Sequence, residues 1–233
     1  MIELLLSSLL ENETMASVVT LTPQTIEYPD SDGERMADNT LQFRWIVTIQ
    51  GGLDALFAQN PNVFVAGDLL WYPVEGKPTT RQAPVMVAFG RPKGYRGSYR
   101  QWEENDIPPQ VVFEILSPGN RPGEMARKAM FYEVHGVEEY YLFNPDRNQL
   151  DGFLRQGKLL EPIPEMNGWV SPRLGVRFDT TGDELRIIGP DGRHFVSYVE
   201  LAQAADHERE RADQERERAQ RLEAKLRAAG LEP

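Results

Sequence analysis

The spacing of apolar residues changes from a helical to a strand period along the first half of the chain. Apolar positions recur at steps of three to four over 39–59, which predicts an amphipathic helix. Two runs rich in β-branched and aromatic residues follow at 63–72 and 85–89, and they are predicted to pair as a hairpin. The residues that carry the helical period are Leu41, Trp45, Ile49, Leu53 and Leu56.

The segment 111–116 is apolar except for Glu114, as expected of a central strand that is covered on both faces of a sheet. Strands and a helix then alternate, which predicts an α/β fold. The further predicted elements are a helix over 123–135 and strands over 137–143, 150–155, 158–163, 173–178 and 184–188.

The tail is predicted to be one charged helix over 197–229. Small apolar residues recur every seven positions from Ala205, but the facing row contains Glu208 and Glu215. Two interpretations stay open, namely a solvated helix laced with salt bridges and a weak coiled coil that forms a homodimer. The predicted organisation is an N-terminal extension, a main domain and a charged helix, with bounds 1–24, 25–196 and 197–233.

The amino-acid composition limits the kinds of functional site that the chain can form. The chain of 233 residues has no cysteine and three histidines, so thiolate sites are excluded and a metal site has to rest on carboxylates. Oxygen ligands suit magnesium, manganese or calcium. The net charge of -11 argues against broad adhesion to nucleic acid but allows a local basic channel. The apolar start is short and lacks a basic region, so we expect no membrane segment and a cytoplasmic protein.

Four residues are candidates for a catalytic or metal site. Glu114 is a carboxylate among apolar neighbours, and burial of an unpaired carboxylate is costly, so it needs a metal, a loop or an arginine as partner. Lys128 follows on the next helix, where it either returns beside Glu114 or lies on the surface. Asp68 is unusual within a strand and is either a ligand or a bulge residue. Glu34 is a further carboxylate, in an acidic stretch that also suits a solvated loop.

The predicted loop 90–109 carries the best candidates for contact with nucleic acid. Basic residues interleave there with Tyr95 and Tyr99, a combination that suits phosphate contact and base stacking. A merely solubilising loop is the other interpretation. The basic residues are Arg91, Lys93, Arg96 and Arg100.

Several motifs in this order resemble the Uma-two family of restriction-endonuclease-like proteins, within the PD-(D/E)XK nuclease superfamily. They are VFVAGD at 63–68, FGRPKG at 89–94, VFEILSP at 112–118, Lys128 with Tyr132, and GVEEYY at 136–141. The resemblance covers about residues 25–160. It implies a restriction-endonuclease-like mixed β-sheet flanked by helices and a nuclease site that uses Mg²⁺ or Mn²⁺.

Under this resemblance the family's glutamate falls on Glu114 and its lysine falls on Lys128. The family's Pro-Asp pair is incomplete here, because Pro84 runs directly into Val85. Asp68, or Glu34 as the weaker choice, is the expected substitute ligand. Two functions follow as expectations: a metal-dependent endonuclease that cleaves DNA, and a degenerate relative that binds nucleic acid or a partner without hydrolysis.

Overall fold

The computed structural model describes residues 26–33 and 37–229. Three helices lie in these ranges, namely α1 (Thr40–Leu56), α2 (Pro122–Val134) and α3 (Tyr198–Ala228), with a short 3₁₀ helix at Gln101–Glu104. The strands are β1 (Val63–Ala66), β2 (Trp71–Tyr72), β3 (Val85–Phe89), β4 (Tyr99–Arg100), β5 (Val111–Ile115), β6 (Glu139–Asn144), β7 (Gln149–Gln156), β8 (Leu159–Pro162), β9 (Arg177–Asp179) and β10 (Arg186–Ile188).

A six-stranded mixed sheet forms the centre of the fold, in the order β1-β3-β5-β6-β7-β8. β5 and β6 are parallel and are connected through α2, whereas the other neighbouring pairs are antiparallel. The predicted hairpin is confirmed as the antiparallel pair β1 and β3. The predicted α/β class, with a mixed sheet flanked by helices and a charged C-terminal helix, is therefore confirmed.

Each face of the sheet packs its own apolar layer, because successive residues of a strand point to opposite faces. In β5, Phe113 and Ile115 join the layer beneath α1 and the β9–β10 pair. Val112 joins the other layer, which contains Tyr132 of α2. Glu114 has the parity of Val112 and therefore faces α2, in a strand whose five residues are all buried.

Some predicted boundaries are wrong for identifiable reasons. The predicted strand 63–72 stops at Ala66, since Asp68 has a φ of +54°, a left-handed conformation that ends extended pairing. The chain then continues as the separate strand β2. The predicted loop 90–109 is not without structure, because it contains β4, parallel to β2, and the 3₁₀ helix.

The helix α3 has no buried residue along its 31 positions. Its start is fixed by a capping box, in which the Ser197 hydroxyl accepts from the Glu200 backbone and the Glu200 carboxylate accepts from the Ser197 backbone. Ion pairs at three or four residue spacing run along it, for example Arg216 with Asp213. The homodimer and the division into domains stay predictions, and the extension 1–24 lies outside the described residues. Within the described ranges, none of the helices is long and apolar enough to cross a membrane.

Truncation of the chain after residue 203 is expected to leave the melting temperature within about 2 °C of the full chain, because α3 contributes no buried side chain. Light scattering on both proteins tests the coiled coil at the same time. A dimer that becomes a monomer on truncation means that α3 forms the homodimer, and an unchanged number of chains per particle means that it does not. A drop of ten degrees or more would show that α3 does support the fold.

Candidate active site

The carboxylate of Glu114 is 7 % exposed and both of its oxygens are bound by side chains of α2. The Lys128 ammonium donates to Oε2 at 2.8 Å. The Tyr132 hydroxyl, which is fully buried, donates to Oε1. The charge of Glu114 is therefore compensated by one cation and one neutral donor, and these two contacts offset the free-energy penalty of its burial.

The direction of the chain after β5 explains why Lys128 and Tyr132 contact Glu114. β5 ends at Ile115, and α2 then runs back across the face of the sheet to which Glu114 points. Lys128 and Tyr132 are four residues apart on a helix, so they share one face of it. The expected return of Lys128 to Glu114 is thus observed as a contact, and its chemical role stays a prediction.

Asp68 and Glu114 line one cavity of the protein, although Asp68 does not lie in a strand. The pKa of Asp68 is raised from its ordinary 3.8 to about 6, mainly by burial and also by the charges of Asp32 and Glu114, against the opposing charge of Lys128. Ala66 pairs with Met86 in the β1–β3 ladder. The ladder stops there, two residues before Asp68, and both Asp68 and Pro84 line the cavity.

The cavity between these residues has a volume of about 540 Å³ and its wall is mainly polar. It is bounded by the start of α1, the start of β3, the end of β5, the first turns of α2, and the segment 79–84. Acidic residues outnumber basic residues in its lining, so the cavity attracts cations and repels a bare phosphate. The acids are Asp32, Asp38, Asp68, Glu114 and Glu124, and the bases are Arg81 and Lys128.

The donor set of the cavity consists of oxygens. In residues 26–33 and 37–229, no group of three or more histidine, aspartate or glutamate side chains is placed to hold a metal ion together. An ion there would have to rest on one or two carboxylates and on water, which is the manner in which magnesium is usually bound. The Ile115 carbonyl, a further oxygen at this point, accepts from the Gln42 side chain at 2.8 Å. Glu34, the other expected ligand, lies outside the described residues.

The four loop cations are not part of this cavity, and each has an acidic partner. Glu104 accepts from Arg91 at 2.9 Å and from Arg96 at 2.5 Å. Lys93 pairs with Asp54 of α1, and Arg100 pairs with Glu103. Their predicted contact with nucleic acid stays a prediction, but it would require these pairs to be shared or broken.

The two tyrosines of that loop have different environments. Tyr95 is 95 % exposed, as a base-stacking residue would have to be. Tyr99 is fully buried, and its hydroxyl donates to the Ile107 carbonyl. Tyr99 is therefore part of the core and is not accessible to a base.

Sequence reasoning missed the side chains that hold the site together. Tyr132 was not singled out as a site residue, although its spacing of four from Lys128 indicated a shared helix face. The Ser117 hydroxyl donates to Asp38, and the Asn120 side chain accepts from the Ser117 backbone at 2.8 Å. Nothing in the spacing along the chain indicates the contact between Asp38 and Ser117, because it joins distant segments.

Comparison with known families decides the class of the protein. The sequence profile of a family described as "Uma2: Putative restriction endonuclease" matches residues 23–181, about two thirds of the chain. The chain belongs to the Uma2 family. Membership identifies this Uma2 chain as a restriction-endonuclease-like nuclease, a class that acts on nucleic acid.

A solved structure is also similar to this Uma2 chain. It is described as a "putative nuclease belonging to DUF820 from Anabaena variabilis ATCC 29413", is 14 % identical in sequence and has a TM-score of 0.42. The similarity covers 57 % of this chain and 72 % of that one. No curated protein matches.

Replacement of Lys128 by methionine in this Uma2 chain is expected to destabilise the fold by about 3 kcal/mol near neutral pH, because the Glu114 carboxylate then stays buried without its cation. The double variant Lys128→Met with Glu114→Gln is expected to recover most of this loss. Urea unfolding measures both values.

The exposed Lys158, replaced by methionine, serves as the matched control and should change the free energy of unfolding by less than about 0.5 kcal/mol. If the single and double Lys128 variants were equally unstable, the charge of Glu114 would not be the cause of the loss.

Proposed function

We propose that this chain is a divalent-metal-dependent endonuclease that hydrolyses phosphodiester bonds in DNA, with magnesium or manganese as its metal. The observation that supports this most directly is the arrangement of Glu114, held by Lys128 and Tyr132, at a cavity that Asp68 also lines. Membership of a nuclease family agrees with this chemistry.

The carboxylate oxygens of the cavity are the type of ligand that a hard divalent cation prefers. Glu114 and Asp68 would hold the ion, with water completing its shell, since magnesium commonly takes one or two carboxylates. Bound there, its contribution would be to lower the pKa of a water nucleophile and to offset negative charge on the phosphate.

Lys128 and Tyr132 have distinct tasks in this proposal. Tyr132 fixes one oxygen of Glu114 from inside the core, so the carboxylate keeps a single orientation. Lys128 is 21 % exposed and reaches the edge of the cavity, where its ammonium can stabilise negative charge that develops on the phosphate. Both are preorganised before substrate arrives, because the α2 backbone carries them.

Asp68 takes the place of the missing family aspartate in this proposal. It lines the same cavity as Pro84 and Glu114. The pKa of Asp68 is raised first by burial and then by the negative charges of Asp32 and Glu114, and a bound cation would favour the ionised form against both causes.

A binding protein without hydrolysis is the second candidate function. Two observations favour it: no aspartate follows Pro84, and both oxygens of Glu114 already have donors. Retained DNA binding together with absent divalent binding would decide for this candidate.

Purified protein is expected to nick or cut plasmid DNA in the presence of magnesium or manganese, and Glu114→Ala is expected to reduce the rate by at least about 100-fold, as loss of a metal ligand does. Glu161→Ala removes an exposed carboxylate of β8 and serves as the control. Agarose gels measure the loss of supercoiled plasmid with time. Undiminished cleavage by the Glu114 variant would remove Glu114 from the mechanism.

Asp68→Asn is expected to stabilise the metal-free protein by about 1 kcal/mol at neutral pH, a value discounted because Asp68 is only partly buried. Since the pKa of Asp68 is raised, folding favours its protonated form. The stability that the wild type gains from protonated Asp68 is complete below about pH 4 and is lost as the pH rises through about 6. The difference between variant and wild type should therefore vanish in acid. Asparagine tolerates the positive φ, so the backbone is not disturbed.

Calorimetric titration with manganese completes the test. Affinity is expected to fall in the Asp68→Asn variant, and in the wild type it should fall below about pH 6, because protons then compete for the carboxylate. Equal affinity of both proteins at neutral pH would exclude Asp68 as a ligand.

A further inference from the structure

Arg81 lines the same cavity as Glu114 and Lys128. It belongs to the segment between β2 and β3. The four cations predicted for nucleic acid contact lie elsewhere. Sequence reasoning did not single out Arg81, because the acidic cavity that it lines is assembled from distant segments.

The side chain of Arg81 differs from the other cations in its partners. Among residues 26–33 and 37–229, no carboxylate forms an ion pair with it. Its Nη1 donates to the Pro78 carbonyl at 2.8 Å. A guanidinium has five N–H donors in a planar fork, so most of its donor capacity is still available to a ligand.

The backbone beside Arg81 is fixed by the core. Gln82 exchanges two backbone hydrogen bonds with Trp71 of β2, at 2.8 and 3.3 Å, and Trp71 is fully buried. The guanidinium is thus held by its own bond to Pro78 and by a fixed neighbouring residue. A half-buried cation that is oriented in this way loses little conformational entropy when it binds an anion.

We propose that Arg81 binds a phosphate group of the nucleic acid backbone in the cavity that Lys128 also lines. This inference rests on the proposed function, in which a phosphodiester has to enter a cavity with a surplus of carboxylates. Of the two lining cations, Lys128 is already paired with the Glu114 carboxylate, whereas Arg81 has no acidic partner among the described residues. Arginine matches the two oxygens of a phosphate with two parallel N–H donors.

The test is the salt dependence of binding to a fluorescent DNA duplex of about 20 base pairs, measured by anisotropy at several potassium chloride concentrations. A fixed concentration of calcium is present throughout, since calcium takes oxygen ligands like those of magnesium. Arg81→Gln and Arg81→Met are expected to lower the slope of log K against log salt by about 0.9, the value for one phosphate contact. Arg81→Lys keeps the charge and should keep the slope.

Lys158→Gln is the matched control, because it removes one positive charge at the β7–β8 turn, at the edge of the sheet opposite to the carboxyl end of β5. It should keep the wild-type slope. Denaturing gels monitor cleavage, and circular dichroism confirms that each variant is folded.

Neutral Arg81 variants that bind with the wild-type slope would overturn this inference and leave the proposed nuclease standing. Wild-type protein that does not bind the duplex at all would overturn both.

Discussion

A carboxylate in the middle of an apolar strand costs several kcal/mol unless charge and hydrogen bonds compensate it. In this fold the compensation of Glu114 comes from α2, which supplies an ammonium and a hydroxyl to its two oxygens. The contact joins α2 to the central strand, and Glu114 and Lys128 both line the polar cavity.

The regular elements could be predicted from the sequence because their periods are local. The helices α1 and α2 and the strands β3 and β5 were found within a few residues. The end of β1 was not found, since nothing in VFVAGD indicates that Asp68 takes a left-handed conformation. That turn also moves Asp68 out of the ladder, where its side chain lines the cavity instead of an apolar face.

The site could be predicted only in part, because similar sequence patterns, such as an acid beside apolar residues, occur both at a candidate site and at a purely structural contact. Glu139 is also a buried acid beside apolar residues, yet it accepts from Tyr141, Ser171 and the Arg173 backbone and holds the segment before β9 to the sheet. Glu114 differs because it shares its cavity with a second carboxylate, that of Asp68. Likewise, a basic loop in the sequence becomes a set of ion pairs once Asp54 and Glu104 are brought beside it. Such partners are distant in sequence or depend on how a loop folds, and periodicity contains no information about them.

The proposed metal site requires that Glu114 and Asp68 face one cation. A crystal structure of manganese-soaked protein, with data collected at the manganese absorption edge, would locate that ion. One anomalous peak is expected, with a carboxylate oxygen of each residue at about 2.1 Å, as for hard divalent ions bound by carboxylates. A peak elsewhere, or no peak while Lys128 still binds Glu114, would rule out this metal site and favour a nuclease fold that no longer hydrolyses.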